Sequence, residues 1–259
     1  MRRATVWKAA AAVAVLGVMC AVGAITYINH SRPQALGLAS VTPRTPAPSP
    51  SPEDPLVAAC PKPATSQPAP GSRFTGVWIV QPGSIAGYRA HEKFFELTSP
   101  HDAVARTDRL AGWLVIGGSD AAPVLVAGCV AVDVRTLESV DQLPGFNVRD
   151  RDKLARDFLG AHTHPFVVFQ PHAADLRLST STAAVQHVTL AGDLQISGVT
   201  LPATFKLAVR LLSATVAVAG QTTVNVQKFG VEVPTEADGF VRVNPQITLE
   251  VSLVLLKPG

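Results

Sequence analysis

The sequence is poor in charge, in aromatic residues and in cysteine. Charged residues fill 16% of its 259 positions and aromatics 6%, with only three cysteines and two methionines. Six of the 22 basic side chains (Arg2, Arg3, Lys8, Arg32, Arg44 and Lys62) precede residue 73, which leaves sixteen basic against seventeen acidic side chains over residues 73–259. A nucleic-acid-binding domain carries a basic footprint, so this balance argues against a nucleic-acid partner. There is no nucleophile-elbow sequence to set a serine on a strained turn, which argues against a serine hydrolase. His162, His164 and His172 lie close together, but no Cys or carboxylate accompanies them at metal-ligand spacing. No metal, cofactor or catalytic residue is therefore expected, and the chain reads as a non-enzyme.

What the N-terminus does have is an apolar run. Residues 9–28 (AAAAVAVLGVMCAVGAITYI) hold no charge, and about twenty residues at ~1.5 Å rise span a bilayer core as a helix. Arg2, Arg3 and Lys8 precede the run, which places the N-terminus in the cytoplasm and the rest outside. Residues 1–32 are thus read as a cytoplasmic N-terminus with a single transmembrane anchor, and the protein as a single-pass protein of the cell membrane. The competing reading is a cleaved signal peptide, with small residues at Ala21-Val22-Gly23-Ala24. A lipoprotein at Cys20 is disfavoured because Met19 before it is too large for a lipobox.

Residues 33–72 form a Pro-rich linker. Eleven of the 21 prolines fall between Pro33 and Pro70, among Ala, Ser and Thr and without aromatics. Such a stretch packs no core and favours extended polyproline II, so it reads as a disordered stalk or tether. Cys60 near its end and Cys129 in an expected strand would both lie in an oxidising compartment. Whether they pair is left open, because sequence does not supply the Cα separation that a bridge needs.

From Phe74 onward the apolar period becomes two, the signature of strands with one dry face. Phe205, Leu207, Val209 and Leu211 alternate with Thr204, Lys206, Ala208 and Arg210; Ile247, Leu249, Val251, Leu253 and Leu255 do so in the last strand; Val188, Leu190, Leu194 and Ile196 in another. Weaker signals cover 75–80, 85–97, 105–116, 124–135, 166–178 and 222–229. The row of strands predicts an all-β fold, a single antiparallel barrel over residues 73–259 with one short helix. Its inward set is expected to include Trp78, Val167, Phe169, Val188, Leu190, Leu194, Phe205, Leu207, Val209, Val224, Val226, Leu249, Val251 and Leu253. A barrel of about eight strands either fills with side chains or holds one small ligand, and the alternation leaves that choice open.

The helix is expected at 149–159 (RDRDKLARDFL), with Leu154, Phe158 and Leu159 on one face. Arg149, Arg151 and Lys153 at its start are candidates for holding an anionic head group. The simpler reading is a solvated first turn in which Asp150 and Asp152 favour the helix dipole.

The order of landmarks resembles the YceI family of lipocalin-like, polyisoprenoid-binding barrels. The likeness runs through Gly76-Val77-Trp78, then Ser84-Ile85-Ala86-Gly87-Tyr88-Arg89 with Glu92 and Phe94, Gly112, and Val130-Ala131-Val132-Asp133 with Leu137. It continues with Arg151-Asp152, Leu154, Phe158, Pro165 and Phe169, and is most specific at Gly192-Asp193-Leu194 with Gly198-Val199-Thr200-Leu201-Pro202. Phe229-Gly230-Val231 and Pro234 complete it. Gly87-Tyr88-Arg89 stands where many members carry a His-Ser pair, as in actinobacterial-type, membrane-anchored members. The resemblance implies an eight-stranded barrel with a bent strand and a helix at one end. It also implies a polyisoprenoid lipid or isoprenoid quinone in the lumen, held for carriage, buffering or storage at the cell envelope. The alternative is a structural or interaction module with a filled barrel. Oligomeric state is not legible.

Overall fold

The structure, a computed structural model, describes residues 32–40, 54–61, 72–94, 101–142, 147–178, 184–212, 215–234 and 241–258. The expected anchor at residues 9–28 lies outside them. Among the described residues no helix is long and apolar enough to cross a membrane.

A one-turn helix, α1 (Pro55–Ala58), precedes the strands β1 (Gly76–Val80), β2 (Ile85–Phe94), β3 (His101–Thr107), β4 (Leu110–Ser119), β5 (Ala122–Asp133) and β6 (Glu138–Ser139). Helix α2 (Val148–Phe158) follows. The chain then continues through β7 (Phe166–Pro171), β8 (Ala174–Asp175), β9 (Val185–Ile196), β10 (Val199–Leu211), β11 (Thr215–Asn225), β12 (Val241–Val243) and β13 (Gln246–Leu256). The sheet runs β1-β4-β5-β7-β9-β10-β11-β13, all antiparallel, and closes where Ile79 and Val80 pair with Leu256 and Leu255. β2 carries β1 onward along the same edge of β13, from Ser252↔Ile85 to Thr248↔Arg89, while β3 carries β4 onward beside β2. β1–β2 and β3–β4 are therefore two long, bent strands, and the barrel has eight walls. Closure pairs most strand edges of the described residues within the barrel.

Local chemistry explains the breaks. The β9–β10 hairpin turns on Ser197-Gly198, with φ of 49° and 81°, the paired positive values of a tight hairpin turn. A Cβ at Gly198 would also come within 2.7 Å of the His164 ring. Residues 222–229, expected as one strand, are strand only to Asn225. The Asn225 side chain accepts a hydrogen bond from the Gln227 amide and starts a single 3-10 turn over Val226–Phe229, the usual competition of Asn with the ladder.

The Pro-rich segment does more than span a distance. Its described parts pack on the outside of the barrel. Leu56 and Cys60 are buried against Trp113, Val115, Cys129, Ala131 and Val168, the outward side chains of β4, β5 and β7. Trp113 Nε1 donates to the Cys60 carbonyl at 3.1 Å, and Cys60 is joined to Cys129 with 5.6 Å between Cα atoms. On another wall the Leu36 amide donates to Glu250 Oε2 at 3.3 Å and Ser252 Oγ to the Gly37 carbonyl at 3.1 Å. A stretch with too few apolar groups for its own core is thus stitched to the barrel at two points.

Helix α2 leaves much of its apolar face uncovered. The Asn147 side chain caps it by accepting from the Arg149 amide. The helix is then held by polar contacts: buried Asp152 accepts from the Ser139 amide and hydroxyl, and Arg156 Nη1 donates to the Leu137 carbonyl at 2.9 Å. Leu154 and Phe158, on the expected apolar face, remain 55% and 39% exposed.

Candidate functional site

The lumen is not filled. Inward side chains enclose a cavity of about 270 Å³, and a second of about 80 Å³ lies beyond it, around Phe74 and Trp78. Leu114, Leu190, Leu207, Val218 and Leu255 line both, so these side chains form the partition. The larger volume is near the low end of ligand pockets, ~300–1,000 Å³. A filled barrel does not describe this interior.

The expected lumen residues divide as follows. Val167, Phe169, Leu190, Leu194 and Phe205 line the larger cavity, as do Leu207, Val226, Leu249, Val251 and Leu253. Trp78, Val188 and Val209 line the smaller one. Val224 lines neither and packs instead among the cluster around Phe229 and Ile247. The Phe169 and Phe205 rings pack with centroids 4.7 Å apart and planes tilted by 56°, within the range of paired aromatic rings. The Trp78 indole donates to the Phe74 carbonyl at 2.8 Å, which satisfies its one polar atom inside the barrel.

The cavity reaches the surface where exposed Leu154, Phe158 and Glu232 line it together with Val233, Val241 and Val243. The apolar face of α2 is therefore part of the rim. That answers why a helix of the sequence RDRDKLARDFL leaves Leu154 and Phe158 wet: they border the opening instead of a core.

One patch of the lining is polar. Of the three cationic candidates, only Arg151 lines the cavity; Arg149 and Lys153 are exposed on the helix surface and do not join it. At about 100° per residue, positions 149 and 153 cannot share the inward direction of 151. Arg151 Nη2 donates to Asp141 Oδ1 at 2.6 Å and to Ser139 Oγ at 2.7 Å, and Arg151 Nη1 lies 3.5 Å from Glu92 Oε2. Behind this pair, Asp141 also accepts from the Val104 amide at 2.9 Å and sits 2.7 Å from His101 Nε2. Burial alone would raise the Asp141 pKa, but hydrogen bonds with His101, Arg151 and the Val104 amide outweigh it and hold the carboxyl down at about 2. For Glu92 burial wins: its carboxyl is pushed up, against the opposing pull of Arg151. The buried Tyr88 hydroxyl beside them is likewise pushed up, chiefly by desolvation. Glu250 also borders the cavity, but Arg89 Nε at 3.1 Å, Arg106 Nη2 at 3.6 Å and the Leu36 amide engage its carboxylate.

Glu92, Tyr88 and Asp141 were not among the candidates. Glu92 carried a readable signal, since Ala86, Tyr88, Ala90, Glu92 and Phe94 fall on one face of β2, and a carboxylate within a dry period-two face is anomalous. Asp141 lies in a loop with no periodic context. The histidines do not converge: His162 is 93% exposed and 3.9 Å from Asp157, while His172 pairs at 3.1 Å with Asp193 on β9. Among the described residues no three His, Cys, Asp or Glu side chains are placed to hold a metal ion.

A closed antiparallel barrel with an apolar lumen, open at a helix-rimmed mouth, defines a lipocalin-like barrel. More particularly, the chain belongs to the YceI-like domain family, whose pattern matches residues 91–255. A polyisoprenoid binding domain from Saccharophagus degradans, implicated in plant cell wall breakdown, has the same fold. It aligns with 71% of this chain and 99% of its own at 15% identity, with a TM-score of 0.53. BcnA of Burkholderia cenocepacia aligns over 64% of this chain and 95% of its own at 15% identity and a TM-score of 0.44. The YceI protein of Campylobacter jejuni aligns over 57% and 82% at 12% identity and a TM-score of 0.40. No curated protein matches the chain.

Proposed function

We propose that this protein binds a single long-chain polyisoprenoid lipid or isoprenoid quinone in its lumen and serves as a carrier, buffer or store at the cell envelope, without catalysing a reaction. The observation that carries the reading is the open cavity of about 270 Å³ whose lining is mostly apolar, chiefly Val, Leu, Ile, Ala and Phe, with polar side chains at Arg151, Glu92 and Tyr88 and at Glu232 and Glu250. Such a surface activates no nucleophile but buries an apolar chain. Each five-carbon isoprene unit brings roughly 3–4 kcal/mol of gross transfer free energy at ~0.8 kcal/mol per buried CH₂. Several units therefore outweigh an association cost of ~4–15 kcal/mol, whereas one does not. The name of the Saccharophagus degradans domain supports the same ligand class.

The protein is further proposed to be anchored in the cell membrane by residues 9–28, with its barrel outside the cytoplasm. The uncharged run behind Arg2, Arg3 and Lys8 supports this, as does the Cys60–Cys129 disulfide, a bond that persists in oxidising compartments. The deciding experiment is mass spectrometry of the full chain purified from its own membrane. One prenyl lipid or quinone per chain, and saturable re-uptake after stripping, is the expected result. A stripped chain that takes up no prenyl lipid of any length would refute the reading.

A further inference from the structure

The polar patch in the lumen has hydrogen-bonding capacity that the protein does not use. Arg151 commits Nη2 to Asp141 and Ser139, yet its Nε and Nη1 are buried with no hydrogen-bond partner among the described residues, and so is Glu92 Oε2. Nη1 and Oε2 are within ion-pair range of each other at 3.5 Å but not hydrogen-bonded. Native interiors rarely leave such groups orphaned, and each one needs a reason. Both residues line the larger cavity. Two donors and an acceptor thus sit side by side at the wall of the lumen, each with almost no exposed surface, so a head group engages them by settling between the side chains.

The charges around them restrict what fits. Among the described residues Arg151 is the one cation of the lining, and it faces Glu92 and Asp141, with buried Asp152 one residue along the helix. His101 sits on the far side of Asp141. An anionic head would gain one shared guanidinium and meet several carboxylates, all in a site where like charges are poorly screened. A head that only accepts, such as a carbonyl or an ether, would satisfy Arg151 and leave Glu92 Oε2 orphaned. A hydroxyl does both: its oxygen accepts from Arg151 and its proton goes to Glu92.

We infer that Arg151 and Glu92 form a head-group site for an uncharged alcohol, so that the ligand is a free polyprenol and prenyl phosphates are rejected. The inference rests on the lipid-binding reading above and assigns its selectivity. It is tested with the lipid-stripped full chain offered, in competition under native mass spectrometry, four probes with one C20 tail: geranylgeraniol, its methyl ether, its monophosphate and the parent hydrocarbon. The alcohol is expected to bind about tenfold tighter than the ether or the hydrocarbon, the scale of one hydrogen bond to a charged group, and the phosphate more weakly than the alcohol. Glu92→Leu should abolish the preference of alcohol over ether while tail uptake persists, and Glu92→Gln, which keeps an acceptor, should retain it. Equal binding of alcohol, ether and phosphate, or tighter binding of the phosphate, would overturn the head-group assignment and leave lipid binding intact. Saturable binding of none of the four would overturn lipid binding itself.

Discussion

Asp141→Asn tests whether the buried network behind Arg151 is as tightly held as its distances imply. The Asp141 carboxylate takes Arg151 Nη2 at 2.6 Å, His101 Nε2 at 2.7 Å and the Val104 amide at 2.9 Å. Together these bring its pKa from 3.8 to about 2. At ~1.36 kcal/mol per pKa unit, that shift stabilises the fold by about 2 kcal/mol at neutral pH. Because the folded pKa lies below the unfolded one, the stabilisation is complete above about pH 4. It fades as the pH falls through the folded value, once the carboxyl is protonated in both states. Urea unfolding followed by the fluorescence of buried Trp78 and Trp113 reads the effect. The wild-type chain should lose about 2 kcal/mol more than Asp141→Asn on going from pH 5 to pH 2. At pH 7 the variant should be less stable by at least that amount, since Arg151 loses a charged partner in a buried site. Parallel stability–pH curves for the two chains would refute the network.

Val251→Glu puts a charge on the lumen wall beside Ala86; uptake of prenyl lipid should be abolished, with a cost of several kcal/mol in urea unfolding that a circular-dichroism control must show to be short of unfolding. Reducing Cys60–Cys129, or replacing both with Ser, opens a loop of 69 residues; a loss of about 4 kcal/mol follows from loop entropy, seen as a drop in Tm on the order of 10 °C. Leu154→Ser with Phe158→Ser alters exposed residues at the rim; stability should stay within about 1 kcal/mol, while lipid uptake in stopped-flow slows. Unchanged uptake would remove α2 from the entry path.

Much of the fold was legible because period-two alternation is a local property. Phe205, Leu207 and Val209 or Leu249, Val251 and Leu253 announce a dry face whatever they pair with, and a row of such strands has few ways to close. Ser197-Gly198 likewise specifies its turn by backbone sterics alone. The sequence-based boundaries failed where a side chain competed with the ladder, as Asn225 does, and where segments with no periodicity found partners far away. Leu56 and Leu36 gave no sign that they would cover the barrel's outer wall, and Cys60 offered only an open choice of pairing with Cys129, since long-range burial has no local signature.

The sequence by itself determined most of the strands and membership in a family of barrels, because these follow from residue order. Only the tertiary structure decided that the lumen is open and that Arg151, not Arg149 or Lys153, reaches it. It also set Glu92 beside Arg151 and made Leu154 and Phe158 the rim of the mouth. Volume left over between packed side chains, and polar groups brought together from β2, α2 and the loop after β6, are properties of closure in three dimensions. A buried donor without a partner exists only once everything around it has taken its place.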